Sequence, residues 1–419
     1  MTGPELVAAG EEALARGESS RAFALLERAT KEDLDPGWFH RLATGFALAG
    51  RYQDRHADVL AWIEQAMDRY DNQLDRAKLL WARIAVCRQL DIGRVLDLAE
   101  EALKASEEAG DEKAYASILA SAAFAGYRRG DSRLANEYAE RAATRTFSSE
   151  AAHYDCVRAQ MFCSTCLGDL EAALNYATKA RAMAREMNRP ADVANESNNL
   201  AESYLELGCP IEACACAETA IFYARESGHT GVEWYGRVMS AVATAEIGSL
   251  DRALEQFDEL AHTDTNRIFA VDTATMHAYW LLERGAAGDA DRARQIAEKA
   301  IEGAKLAGVA NRLTALYSNV ARACARVGLA VDARAAMEEA RQASATAEPR
   351  ALSLLALAVA EVLPVSDPKR QVTLTTARSR ILRSAARRED PRSYCTNVRL
   401  NRRLLELSGG VPDDLPYGR

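Results

Sequence analysis

Leu167-Gly168-Asp169-Leu170-Glu171-Ala172-Ala173-Leu174 joins two apolar stretches of helical spacing through a single glycine, and the junction returns along the chain at a nearly fixed step. Gly130-Asp131 precedes it, and Gly208-Cys209, Gly248-Ser249, Gly288-Asp289 and Gly328-Leu329 follow, at spacings of 38, 40, 40, 40 and 40 residues. Two more steps of 40 toward the amino terminus reach Leu90-Asp91 and Gly50-Arg51, and one of 33 reaches Gly17-Glu18, giving nine units. A period of this size marks an array in which each unit buries its apolar face only against its neighbours.

Each unit reads as two helices. Leu200, Ala201, Tyr204, Leu205 and Leu207 recur at helical spacing before the Gly208 junction, and the long run Ile211 to Ser227 after it ends at Gly228. Gly110, Asn188 and Gly308 hold the place of Gly228 in other units, the residue types that close a helix in a left-handed turn. Five residues past the junction a small residue recurs, as Ala22, Ala135, Ala173, Ala213, Ala253, Ala293 and Ala333. Twelve past it come Ala29, Ala102, Ala142, Ala180, Ala220, Ala300 and Ala340. Small side chains at these two places let a pair of helices approach closely.

Composition agrees with an all-helical soluble chain. The 419 residues are 48% hydrophobic and 27% charged, and Gly 24 with Pro 10 is too few breakers for a many-turned β architecture. The net charge of −9 argues against general nucleic-acid affinity, which needs a cationic excess. The balance is uneven: from Arg350 onward 13 basic residues face 7 acidic ones, a tail of +6 after 349 residues of −15. Met1-Thr2-Gly3-Pro4-Glu5 lacks the basic start and apolar run of a secretory signal, and Ala351 to Val365 falls short of a membrane span, so cytoplasmic residence without membrane attachment is expected.

Small residues flanking a helix-turn-helix, with Leu167 to Leu174 followed by Ala177 and Ala180, resemble the tetratricopeptide repeat over roughly Pro4 to Ala347. These units exceed that family's 34 residues by about six, a surplus expected in a longer second helix, and in this they resemble the sensor solenoids of bacterial signalling ATPases and of maltose-regulator-type transcription activators. The resemblance implies an all-α, right-handed superhelical solenoid of nine repeats. Ser393 to Leu407 resembles the closing helix that follows such solenoids. The expected organisation is a repeat solenoid over 1–349, basic capping helices over 350–408 and a flexible tail over 409–419. The cap is expected to bury Val372, Leu374, Ile381, Leu382, Leu404 and Leu405, with Arg380, Arg383 and Arg387 toward water; nucleic-acid binding by this basic segment is the alternative.

Reactive constellations do not emerge. No phosphate loop, dinucleotide fingerprint, His-Glu-x-x-His or nucleophile elbow occurs, and His40, His56, His153, His229, His262 and His277 are scattered. No enzyme activity and no cofactor are therefore expected. Six of nine cysteines fall between Cys156 and Cys216; they read as small apolar packing residues, with a soft-metal or redox site around Cys163, Cys166 and Cys209 as the alternative.

In the tetratricopeptide family the first helices of successive units line a concave groove, and the positions that contact an extended peptide lie 13, 10, 9 and 6 residues before the junctions used here. In the Gly208 unit these are Asn195, Asn198, Asn199 and Glu202; the preceding unit offers Asp155 and Arg158, and the next offers Tyr235. Asparagine carries two donors and an acceptor, so a row of them suits a peptide main chain. Arg88, Arg128, Arg322 and Arg326 are expected to add positive charge to the same wall. The family's clamp for acidic carboxyl-terminal tails places Lys or Arg where this chain has Val238, Met239 and Val242, so that mode is not expected. The resulting expectation is a non-catalytic protein- or peptide-binding scaffold in a signalling assembly, with a sensor of a short signalling peptide that changes superhelix pitch as the alternative.

Overall fold

The computed structural model describes residues 1–67, 73–261 and 267–415. His262 and the last four residues of the expected tail lie outside the described residues. Among the described residues nine helical hairpins follow one another: α1 (Gly3–Ala15) with α2 (Ser19–Ala29), α3 (Pro36–Tyr52) with α4 (His56–Met67), α5 (Gln73–Leu90) with α6 (Ile92–Glu108), α7 (Glu112–Arg129) with α8 (Ser132–Thr144), and α9 (Glu150–Leu167) with α10 (Leu170–Glu186). Then come α11 (Pro190–Leu207) with α12 (Pro210–Glu226), α13 (Thr230–Ile247) with α14 (Leu250–Ala261), α15 (Arg267–Arg284) with α16 (Asp289–Ala307), and α17 (Leu313–Arg326) with α18 (Ala330–Ala343). Four more helices close the chain: α19 (Pro349–Val362), α20 (Pro368–Ala385), α21 (Pro391–Thr396) and α22 (Arg399–Leu407). The described residues contain no strand.

The Gly-Asp junction works by division of labour. Gly130 and Gly168 take positive φ and end their helices, the following N–H reaching back to the Gly126 and Ser164 carbonyls. Asp131 and Asp169 then accept from the Leu134 and Ala172 N–H groups at 3.0 and 3.2 Å and start the next helix. Ala135, Ala173, Ala213, Ala253, Ala293 and Ala333 are all buried, as close helix packing requires.

Two expectations about the repeat need correction. Gly50 is not the turn of its hairpin: α3 continues to Tyr52, and Asp54 takes the left-handed conformation instead. Gly50 serves close packing, since a Cβ there would collide with the Val59 side chain of α4. The surplus length is also not confined to the second helices. The first helices α7, α9, α11 and α13 have 18 residues each, whereas the second helix α8 has only 13.

The chain forms two compact units. The first holds Met1–Asn199 and Glu218–Gly236; the second holds Leu200–Ala217 and most of the chain from Arg237 onward. Within the first, the α3–α4 turn meets the α12–α13 turn. Thr230 Oγ1 donates to the Tyr52 carbonyl at 3.0 Å, Ser19 Oγ donates to the Gly228 carbonyl at 2.8 Å, and the Tyr52 and His229 rings stand 4.8 Å apart. Within the second, α21 and α22 pack at the α11–α12 turn, where a Cβ on Gly208 would approach Val398 and the Ser393 carbonyl to 3.1 and 3.2 Å. Leu374, Ile381, Leu404 and Leu405 of the closing helices are buried and Leu382 half-buried, but Val372 is 66% exposed, contrary to the expected cap core. Arg383 and Arg387 face water, while Arg380 is half-buried and donates to Ser353 Oγ at 3.2 Å.

Candidate functional site

On the first unit's wall the first helices α9 and α11 meet through a buried charge network. Arg158 Nε donates to Glu196 at 2.9 Å and Arg158 Nη1 to Asp155 at 3.2 Å. Glu196 also accepts from the Tyr154 hydroxyl and from Asn199 Nδ2, both at 2.8 Å. Burial raises Asp155 from the usual carboxylate range and pushes the Tyr154 hydroxyl well above its own. Burial works against the Arg158 charge, but Tyr154, Glu196 and Asp155 outweigh it and keep the guanidinium protonated. The interior of the wall is therefore a satisfied polar cluster rather than an apolar core.

This geometry sorts the seven residues expected at the site. Asp155, Arg158 and Asn199 join one network, with Glu196 at its centre. Asn198 is buried and spends its amide on the Val232 carbonyl at 3.0 Å, tying α11 to α13. Asn195 is half-buried and donates to the Ala191 carbonyl of its own helix at 2.9 Å. Tyr235 is buried on α13. Glu202 falls in the second unit, where it pairs with Arg312. Sequence reasoning passed over Glu196 and Tyr154; the available signal was a pair of opposite charges, Arg158 and Glu196, about one repeat apart.

Four arginines do not share one wall as expected. Arg322 and Arg326 belong to the second unit and are neutralised there: Arg322 Nη2 lies 2.8 Å from Glu283 and 3.0 Å from Glu361, which Arg326 also meets at 3.0 Å. In the first unit the Arg88 guanidinium stands 4.9 Å from the Phe124 ring centre and that of Arg128 stands 6.0 Å from it. The Phe124 ring is 5.0 Å from Phe162, which in turn has Arg158 at 5.6 Å, so three successive first helices interleave cations with aromatic rings. Burial holds Arg88 well below the usual arginine range, and repulsion from Arg158 and Arg51 adds to it. Among the described residues neither Arg51 nor Arg88 has a carboxylate within ion-pair distance.

The second unit concentrates compensated charge. Arg312 meets Asp272 at 2.7 Å, Glu348 at 2.9 Å and Glu202 at 3.3 Å. Arg350 meets Glu206 at 3.1 Å and Glu246 at 3.9 Å. Burial raises Glu202 and Glu246 from the ordinary carboxylate range, with Arg312 and Arg350 opposing the shift. Burial also pushes up the thiols of Cys87 to about 11 and Cys156 to about 12, which makes them poor nucleophiles at neutral pH. Among the described residues no group of three His, Cys, Asp or Glu is placed to hold a metal ion, and no helix is long and apolar enough to cross a membrane.

Comparison with solved structures decides the architecture. A Rap protein complexed with Competence and Sporulation Factor superposes over 81% of this chain and 98% of its own, with a TM-score of 0.52 at 14% identity. The fold is of the tetratricopeptide-repeat type. The apo quorum sensor NprR from B. thuringiensis matches at a TM-score of 0.45 and 12% identity, over 87% of this chain and 96% of its own. A signal-transduction ATPase with a tetratricopeptide repeat sensor from Pyrococcus horikoshii matches at 0.40 and 15% identity, over 74% of this chain and 49% of its own. No family model and no curated protein matches the sequence.

Proposed function

We propose that the protein is a non-catalytic receptor for a peptide or an extended protein segment, acting as an adaptor in a signalling or regulatory assembly. One observation carries this reading. The first helices α9 and α11 of the first unit commit Asp155, Arg158, Glu196 and Asn199 to a hydrogen-bonded network in the repeat wall. The position equivalent to Arg158 holds Val238 in α13 and Ala278 in α15, both buried, so an apolar residue satisfies the packing at that place in the same fold. A buried polar network rigidifies and orients the groups at its edge. In this reading Asn195 and Asn199, both half-buried on α11, present amides to a peptide main chain, with Asp155, Arg158 and Asn198 holding the helix that carries them. Tyr235 adds an aromatic anchor on α13, whereas Glu202, paired with Arg312 in the second unit, is not part of this site. The Rap protein of like fold was solved with a bound factor, which supports a signalling peptide as the ligand class.

The test is capture from a defined hexapeptide library by the full chain and by an Asn195→Ala, Asn199→Ala double variant. Capture by the variant is expected to fall at least about tenfold, the loss of one to two peptide hydrogen bonds, with unchanged helical circular dichroism and a melting temperature lowered by only a few degrees, since Asn199→Ala also removes a hydrogen bond to Glu196. Equal capture by both proteins overturns the assignment of the wall. Failure of every peptide to raise the melting temperature of the unsubstituted chain overturns the receptor reading itself.

A further inference from the structure

We propose that Arg88, with Arg51 contributing positive field from α3, forms an anion seat in the first unit that takes a carboxylate of the bound peptide. The inference rests on the receptor reading above and narrows its ligand to peptides bearing an acidic group. Arg88 lies in the last turn of α5 and is half-buried, with its guanidinium over Phe124 at 4.9 Å. Stacking on an aromatic face occupies the plane of the guanidinium and leaves its N–H edge available, the edge that meets a carboxylate in a two-bond fork. Arg51, near the end of α3, is also half-buried, and both lack a carboxylate partner among the described residues.

The surroundings point the same way. The two acids that act on Arg88, Asp155 and Glu196, are already spent on Arg158 at 3.2 and 2.9 Å. Arg128 stands over the same Phe124 ring, and repulsion from Arg158 and Arg51 reaches Arg88 in a half-buried wall where water is too sparse to screen it fully. Elsewhere in the chain Arg312, Arg322 and Arg350 each receive two or more carboxylates from within the fold. The first unit leaves that counter-charge to be supplied by a ligand. These are not the positions of the tail clamp excluded from Val238, Met239 and Val242: Arg88 stands two residues before its hairpin junction, at the end of the first helix.

The experiment uses fluorescein-labelled hexapeptide pools and anisotropy with the full chain at about 50 mM salt. One pool carries Asp and Glu, a second their isosteres Asn and Gln, and each is made with a free and an amidated carboxyl terminus. Inorganic phosphate is titrated as a competitor. Binding of the acidic or the free-terminus pool is expected to be at least about tenfold tighter than that of its neutral counterpart, as one charge-assisted fork provides. The preference should fall below about twofold in Arg88→Gln and weaken as salt rises to about 500 mM. Arg88→Lys, which keeps the charge and loses the fork, should retain part of it, and Arg51→Gln should lose part. Which pool gains, side-chain or terminal, identifies the carboxylate. Equal binding of acidic and neutral pools overturns the seat and leaves the receptor reading standing. A preference that survives both Arg88→Gln and Arg51→Gln overturns it, as does displacement of peptide by phosphate without any acidic preference. Binding of no pool overturns both readings.

Discussion

Within their repeat hairpins the two compact units treat buried arginine in opposite ways, whereas Arg370 and Arg380 of the closing helix α20 donate to the Ala360 carbonyl and Ser353 Oγ. In the second, Arg312 sits among Asp272, Glu348 and Glu202, and Arg322 between Glu283 and Glu361, so each guanidinium is surrounded by more carboxylate than it needs. In the first, Arg158 consumes the two acids within reach, and Arg88 and Arg51 stand without a carboxylate. Taking a charge out of water costs several kcal/mol unless a partner repays it, so the second unit uses its arginines to join repeats while the first keeps part of its charge unspent. An array whose units are built alike can therefore balance its buried charge in one stretch and leave it unbalanced in another. That division is open to direct attack.

The largest effect is expected at Arg312. Arg312→Met removes the cation and leaves Asp272, Glu202 and Glu348 facing one another in a buried wall, a change that costs about 3–5 kcal/mol when a single partner of a buried pair is lost. Chemical denaturation followed by circular dichroism reads this as a lower midpoint. A loss under about 1 kcal/mol would mean that Arg312 is solvated and that the second unit does not depend on its charge network.

Acid tests what the units share. His277 in the second unit lies flat against Phe257, ring centres 5.1 Å apart, and burial lowers it to about 4 despite Asp258 nearby. His229 in the first unit, beside Tyr52, is lowered well below its usual value by burial and by repulsion from Arg51 and His56. A base whose folded pKa is depressed contributes stability above its unfolded pKa, near 6.5, and loses it as pH falls toward the folded value. Each such histidine should cost about 1.4 kcal/mol per pH unit below about 6.5, and for His277 the loss should level off near pH 4. His277→Phe should flatten the stability curve between pH 6.5 and 4; an unchanged slope would show that His277 does not stay neutral in the fold.

The repeat was legible because its causes are local. A glycine that must take positive φ and an aspartate that caps the next helix recur wherever a hairpin turns, and an alanine recurs where two backbones approach. Gly50 was misread because glycine serves both purposes, and a period does not say which; the collision that would follow from a Cβ against Val59 is a fact of packing. The site was legible in part for the same reason. Pairs one repeat apart, such as Arg158 with Glu196 or Asp272 with Arg312, follow from stacking neighbours. Arg312 with Glu202, and Arg350 with Glu206, join residues 110 and 144 positions apart, and that depends on small rotations summed over several repeats. Asn198 shows the remaining gap: its residue type suits a ligand or a neighbouring carbonyl equally, and only the position of Val232 decides between them.

The smallest effect, and the one of opposite sign, is expected at Arg88. Two terms compete there. Contact with Phe124 favours the guanidinium by about 0.5–1 kcal/mol, while desolvation and repulsion from Arg158 and Arg51 act against it with no carboxylate within ion-pair distance to offset them. Arg88→Met keeps the contact area over the ring and removes the charge, so the unliganded protein should gain about 1 kcal/mol and melt a few degrees higher. An acidic hexapeptide that binds at the seat should reverse the order, stabilising the unsubstituted chain and leaving Arg88→Met unmoved. If Arg88→Met instead destabilises the unliganded chain, the charge is already compensated and the contrast between the two units fails at its first-unit end. If it stabilises, the Arg88 charge is uncompensated in the empty fold, and the acidic-peptide arm of the experiment then decides whether a ligand carboxylate offsets it.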